Sequence, residues 1–289
     1  MALRKVGINP SRFDKSQIKY YIILAPFVAF MVLPIIFIVN HAFKPMGELF
    51  AFPPTFFVKS PTLDNFENLF KASQQTNVPF SRYLFNSIVI TIIVVFVSVL
   101  ISSMAAYVLS KKEFRGKKWG LELNNAALMF VPTAVTIPRY LVISVLGMEN
   151  TILAHILPLL AMPVGLFLIK QFIDQIPNEL IEAGYIDGAS EWTIFSKVIL
   201  PLIRPAIATA ALLIFQVVWN NMETSDLFIT DEAKRTLAFY LGTFATQTNI
   251  VVGQGIAAAA SLIMFLPNIL LFVLLQSKVM NTMSHSGIK

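Results

Sequence analysis
The chain has 289 residues, of which 56% are hydrophobic and 13% charged, and its formal net charge is +6. Soluble chains carry about 25% charged residues, so this composition excludes an ordinary soluble enzyme and indicates a membrane protein built as one helical bundle. With no cysteine there is neither a disulfide framework nor a thiolate metal site, and His41, His155 and His285 are too scattered for a metal motif.

A helix needs about 20 apolar residues to cross a bilayer. Apolar runs at 21–39, 88–109, 126–146, 152–169, 205–219 and 256–275 predict spans at about 21–42, 86–109, 124–146, 151–173, 203–222 and 256–276. The expected fold is therefore all-α, a polytopic membrane protein with six transmembrane helices. Strands are not expected, because the runs are continuous rather than alternating over about ten residues. The first run contains Pro26 and Pro34. It is longer than a signal-peptide core and no A-x-A site follows it, so it reads as a retained span. In the 43–83 loop, Pro61-Thr62-Leu63 followed by 64–70 predicts a short amphipathic helix lying at the membrane interface. The second run has no proline. The third carries Pro132, Pro138 and Arg139, the fourth His155, Pro158 and Pro163, and the sixth is interrupted by Pro267-Asn268.

Charge sets the orientation. The segment 1–20, the loop with Lys111, Lys112, Arg115, Lys117 and Lys118, the 170–204 loop and the tail 277–289 share one side and hold 15 of the 22 Lys/Arg. The positive-inside rule makes that side, and both termini, cytoplasmic. The positive charge thus reports topology and not a nucleic-acid surface.

Between spans four and five lies a polar stretch with a coupling loop at 174–202, predicted to be a cytoplasmic helix-turn-helix. Pro177 can open its first helix. Ile176, Leu180, Ala183, Gly184 and Asp187 then share one face, and Glu179, Glu182 and Ile186 another. Gly188 suits the left-handed residue that ends such a helix. Ser190 can cap a second helix with Glu191 in its first turn, ending at Leu200-Pro201. Patterning alone allows a passive connector or a face of small residues for close approach to a partner.

The string Glu182-Ala183-Gly184, then Asp187-Gly188-Ala189-Ser190, Phe195, Ile199-Leu200-Pro201 and Pro205 resembles the cytoplasmic signature of the integral-membrane subunits of binding-protein-dependent ABC importers. Gly184 departs from that signature, which usually has Ala there; it lowers helix propensity by up to about 1 kcal/mol. Asn86-Ser87, Ala106-Tyr107, Phe114-Arg115-Gly116-Lys117, Asn150-Thr151, Leu157-Pro158, Ile176-Pro177 and Glu179-Leu180 are similar to the carbohydrate-importing group, in particular to its maltose-type six-span subunit. The resemblance implies a bacterial plasma-membrane permease partnered by a second permease subunit, two cytoplasmic ABC ATPase subunits and an extracytoplasmic sugar-binding protein. It also implies that the helix with Glu182, Ala183 and Gly184 docks on the ATPase. The chain is expected to bind no cofactor, ATP and Mg being used by the partner ATPase.

The sequence has no G-x-x-x-x-G-K-[ST] loop and no hydrolase motif, so it is not expected to be an enzyme. An ion-coupled carrier would need carboxylates or histidines within its spans, and the predicted spans contain no Asp or Glu. An importer permease for a non-sugar solute is the nearer alternative. Arg139 is expected to snorkel to the interface, and His155 to be packed or hydrogen-bonded. Gln216, Trp219, Asn220 and Asn221 offer planar hydrogen-bonding groups and an aromatic face for a sugar path, with an aromatic belt as the competing reading.

Overall fold
The computed structural model describes residues 17–74, 78–247 and 252–286. Most of the expected cytoplasmic segment 1–20, and residues 287–289 of the tail, lie outside the described residues. Those described are helical and contain no strand.

In chain order the helices are α1 (Ile18–Phe43), α2 (Met46–Leu49), α3 (Asp64–Gln74), α4 (Phe80–Lys111), α5 (Lys117–Met129), α6 (Thr136–Val145), α7 (Leu153–Leu160), α8 (Pro163–Asp174), α9 (Glu179–Ile186) and α10 (Glu191–Ile194). They continue with α11 (Leu200–Leu202), α12 (Arg204–Trp219), α13 (Glu223–Phe228), α14 (Leu237–Gln247) and α15 (Val252–Ser286). Helices α1 and α4 and the stretch Gly253–Gln276 of α15 are each long and apolar enough to cross a bilayer. Three bent pairs, α5 with α6, α7 with α8, and 191–202 with α12, reach that standard only together.

Proline explains the bends. The third predicted span is not one helix: it breaks after Met129, and a 3-10 turn, Pro132–Val135, leads into α6. The residue before a proline is driven out of the helical region, and Val131 is accordingly extended at φ −72°, ψ 129°. The fourth bends by 41° at Ala161-Met162, where Pro163 restarts the helix. Pro26, Pro34 and Pro267 are instead tolerated inside long helices.

Helix α1 runs beside α15 and leaves its apolar surface open over most of its length; Ala42 is its one buried residue. Such a surface suits lipid or another subunit. Helix α4 is the central element. Ile92, Phe96, Ile101 and Met104 face outward, while the inward side mixes the apolar Tyr83, Ile90, Val94, Ala106 and Tyr107 with the polar Asn86, Ser87, Thr91, Ser98, Ser102 and Ser103, all buried against the rest of the chain. The short α3 forms as predicted, and one of its faces packs on the bundle. Its Leu69 is fully buried beside Tyr83 and Tyr240, and Asn65 donates to the carbonyls of Ala42 (3.0 Å) and Lys44 (2.8 Å) at the end of α1. Those carbonyls have no partner within their own helix, which is what draws α3 inward.

Candidate coupling hairpin and polar cleft
Helix α9 begins at Glu179, two residues later than a start at Pro177, which lies just before the capping residue Asn178; the Asn178 carbonyl accepts from Ile181 and Glu182. It ends as expected. Gly188 has φ +75°; its N–H donates to Tyr185 O, and the N–H of Ala189 reaches back to Gly184 O at 2.9 Å. This paired closure satisfies carbonyls that a helix end otherwise leaves open. Ser190 then caps α10, its Oγ accepting from the N–H of Thr193 at 3.3 Å.

The second helix does not stop at Leu200-Pro201. A π-helical turn, Phe195–Ile199, carries it on to Leu202, and the chain turns by 79° into α12. Pro201 offers no N–H and crowds the carbonyl four residues back. Widening the turn lets the N–H of Leu200 reach Phe195 O instead.

The two faces of α9 differ from the sequence reading. Gly184 points inward: a Cβ there would lie 3.1 Å from Ile194 Cγ1, and Ile194 is fully buried. Its lack of a side chain therefore serves the contact between the hairpin's own helices. Glu182, Ala183, Asp187 and Gly188 are exposed, as is Ile186 at 87%. The inner face, Ile181, Ile194, Phe195 and Ile199, belongs to one apolar cluster with Tyr107 of α4, Ile169 and Ile173 of α8, and Ala206 and Ala210 of α12. The hairpin and these helices therefore share one close-packed interior.

Polar bonds reinforce that union. Lys112 pairs with Glu191 and contacts the Tyr185 hydroxyl, while Tyr107 donates to Glu191 Oε2 at 3.0 Å and Tyr185 to Oε1 at 2.5 Å. Lys111 donates to Ile176 O and to Asn178 Oδ1, and Ser110 bonds Asp174. Hydrogen bonds from Lys112, and then from Tyr185, hold the Glu191 carboxyl below its ordinary value. Burial works against the Lys112 charge, but Glu191 and Tyr185 outweigh it and keep the ammonium above its usual range. In the sequence these lysines stand out only as topology markers; their role as clamps depends on partners 65 to 79 residues away.

At the other end of the bundle, the four path candidates separate. Gln216 is exposed but does not line the cleft of about 400 Å³ between α12, α14 and α15, whereas Asn220 opens onto it. Asn268 of α15 lines the same cleft, with Nδ2 3.4 Å from Asn220 Oδ1 and with its own Oδ1 buried and unpaired. Trp219 is buried, stacked on Phe215 and donating to Met264 O at 3.2 Å. Asn221, just before the capping residue Met222, accepts from the N–H and hydroxyl of Thr224 in the first turn of α13. Asn268 is a site residue that sequence reasoning overlooks; its signal is an amide in the middle of an apolar run.

Two further polar residues have structural partners. Arg139 is paired: its Nη1 donates to Glu223 Oε2 at 2.9 Å, and Thr136 donates to the other oxygen. His155 is packed and hydrogen-bonded, as expected, between Thr224 Oγ1 (2.8 Å) and Lys234 O (3.1 Å).

Residues 98–277 match the family model described as binding-protein-dependent transport system inner membrane component. The chain is 32% identical to the probable ABC transporter permease protein YurM of Bacillus subtilis (strain 168), over 96% of this chain and 92% of that one. It is 31% identical to the trehalose/maltose transport system permease protein MalG of Thermococcus litoralis, over 83% and 87% respectively. A chain in the crystal structure of a bacterial ABC transporter involved in the import of the acidic polysaccharide alginate shares the fold, with a TM-score of 0.77, 20% identity, and coverage of 93% of this chain and 99% of that one.

Proposed function
The chain belongs to the family of binding-protein-dependent transport system inner membrane components, and on that premise we propose that it is the six-span permease subunit of an ATP-driven sugar importer, with oligosaccharides as its cargo class. It is a non-catalytic transport subunit of a bacterial inner membrane; hydrolysis belongs to separate ATPase subunits. Sugar is the cargo named for the similar trehalose/maltose permease.

The observation that carries the mechanism is the two-sidedness of the 174–202 hairpin. Ala183 and Ile186 lie on an open face, whereas Ile181 and Ile194 are fused to α4, α8 and α12. A cytoplasmic ATPase that grips the open face and closes on ATP with Mg therefore swings the attached spans, as a rigid lever would. This chain needs no nucleotide site for that task. A second permease subunit completes the path, and an extracytoplasmic binding protein delivers the sugar. Asn220 and Asn268 supply amide groups to its hydroxyls in the cleft, and the exposed Gln216 one turn before Asn220 supplies another outside it.

Two measurements test the proposal together. Cysteines at Lys118 and Glu191 should be shielded from an impermeant thiol reagent in intact cells, while Ser73 and Glu232 should react. Proteoliposomes holding the assembled importer should take up sugar with ATP and binding protein. Uptake driven by a proton or sodium gradient without an ATPase, or outside labelling of Glu191, would refute the reading.

A further inference from the structure
Two clefts whose largely apolar walls carry a few polar groups open at the end of the bundle opposite the hairpin, and one side chain divides them. The first is the Asn220 cleft, which also carries Ser261 and Asn268. The second, about 520 Å³ between α6, α13 and α14, carries Thr136, Glu223, Asp226 and Thr243. Met222 and Gly242 line both. A Cβ on Gly242 would lie 2.0 Å from Met222 Cε and 2.8 Å from its Sδ. The thioether thus lies directly on the α14 backbone, in space that any other residue would fill. Methionine is unbranched and flexible, so it can swing off that seat without moving a helix.

The charge of the second cleft is lopsided. Glu223 engages both its oxygens, one with Arg139 and one with Thr136. That single cation balances Glu223 and leaves the exposed Asp226 carboxylate uncompensated among the lining residues. A carboxylate accepts readily from sugar hydroxyls and repels a uronate or a sugar phosphate.

We propose that this second cleft is a subsite for neutral, hydroxyl-rich sugar units, continuous with the Asn220 cleft, and that Met222 is the movable divider between them. The proposal rests on the permease reading above but concerns residues which that reading does not use.

The natural absence of cysteine makes the test direct. In the assembled importer in nanodiscs, Thr243→Cys should favour a cationic over an anionic methanethiosulfonate reagent by about 25-fold relative to free thiol, since one unit charge a few ångströms away speeds the one and slows the other by about fivefold each. Asp226→Asn should abolish that preference. A mixture of neutral tetrasaccharides (maltotetraose, cellotetraose and arabinotetraose) should slow labelling at Thr243→Cys, and a galacturonate oligomer should not. Ser261→Cys should label several-fold faster beside Met222→Ala than beside Met222, with Gly242→Ala as a second variant that displaces the same thioether. If the particles hydrolyse ATP in response to binding protein but show no charge preference, no protection and no Met222 effect, the subsite is wrong while the permease reading stands. If the unaltered importer has no such ATP response, the permease reading is the one that fails.

Discussion

Lys112, at the end of α4, and Glu191, which opens α10, form an ion pair across 79 residues of chain, with the hydroxyls of Tyr107 and Tyr185 on the same carboxylate. The pair ties the hairpin to the central helix of the bundle. Its partners are partly exposed, so its worth to global stability is about 0–1 kcal/mol. Its value lies in fixing the angle of the hairpin.

Glu191→Gln and Lys112→Met should therefore leave insertion and folding intact while lowering substrate-stimulated ATP hydrolysis several-fold. The pH dependence has a defined sign. Because the folded Glu191 carboxyl is held below its ordinary value of 4.5, the pair's contribution is fully present above that value. It is lost as the pH falls through the lower folded value. Coupling measured across neutral pH should consequently be flat as far as this pair is concerned, and a neutral-range transition abolished by Glu191→Gln would contradict the assignment.

Gly188 gives a second test. With φ at +75° and nothing within 4 Å of where a Cβ would stand, the cost of a substitution there is conformational and not steric. An L-residue in this region costs about 1–2 kcal/mol, and a β-branched one more. Gly188→Val should keep membrane insertion and pairing with the second permease but lose uptake and stimulated ATP hydrolysis together. Gly188→Asn, whose side chain tolerates the left-handed region, should restore most of both. Equal activity of all three forms would reduce the hairpin to a connector.

Neighbouring small residues should behave oppositely. Ala183 is exposed and Gly184 lies against Ile194. Gly184→Val forces an overlap with a fully buried isoleucine and should lower thermal stability by about 1–3 kcal/mol, the usual range for overpacking. Ala183→Trp should leave the melting temperature unchanged but block crosslinking of the hairpin to the ATPase. Similar melting losses for both would place Ala183 in the interior contact as well.

Arg139 and Glu223 are each about a quarter exposed in their side chains, at 22% and 29%. Removing one partner, as in Arg139→Met or Glu223→Gln, should destabilise by about 1.5–3 kcal/mol, the scale of a hydrogen bond to a charged group. The double variant should lose less than the sum, because neither charge is then left alone. Additive losses in a denaturation cycle would show that the pair does not interact.

For the path, Asn220→Leu and Asn268→Leu should each reduce uptake several-fold without disturbing assembly, the effect of losing about one hydrogen bond. Trp219→Phe deletes the bond to Met264 O and should act on stability instead of transport. A transport defect confined to Trp219→Phe, with both asparagine variants normal, would exchange these roles.

Several features are legible in the chain because they are local. Continuous apolar runs fix where helices can cross a bilayer, and the runs at 88–109 and 256–275 lie within α4 and α15. Gly188 and Ser190 announce the turn and the cap through their own backbone and side-chain chemistry, and both occur as expected. The same locality fails at the prolines. Pro26 and Pro34 sit inside α1, while Val131-Pro132 and Met162-Pro163 mark breaks. Whether a freed carbonyl finds another partner depends on neighbours that sequence does not supply.

Facing is settled by the packing. In a membrane segment, lipid and protein interior are both apolar, so hydrophobic periodicity carries little information about which side is buried. Trp219 and Asn220 are adjacent, yet one is packed against α15 and the other opens onto a cleft. Ala183 and Gly184 are adjacent and small, yet only Gly184 is held against Ile194. Lys111 and Lys112 identify a charged end by composition, but their clamping of the hairpin follows from where α9 and α10 fold back. Composition and local motif suffice for an all-helical membrane chain with a motif-bearing hairpin, because both act through near neighbours. Which residues of that hairpin and of the cleft are free to meet anything else depends on contacts between elements far apart in the chain.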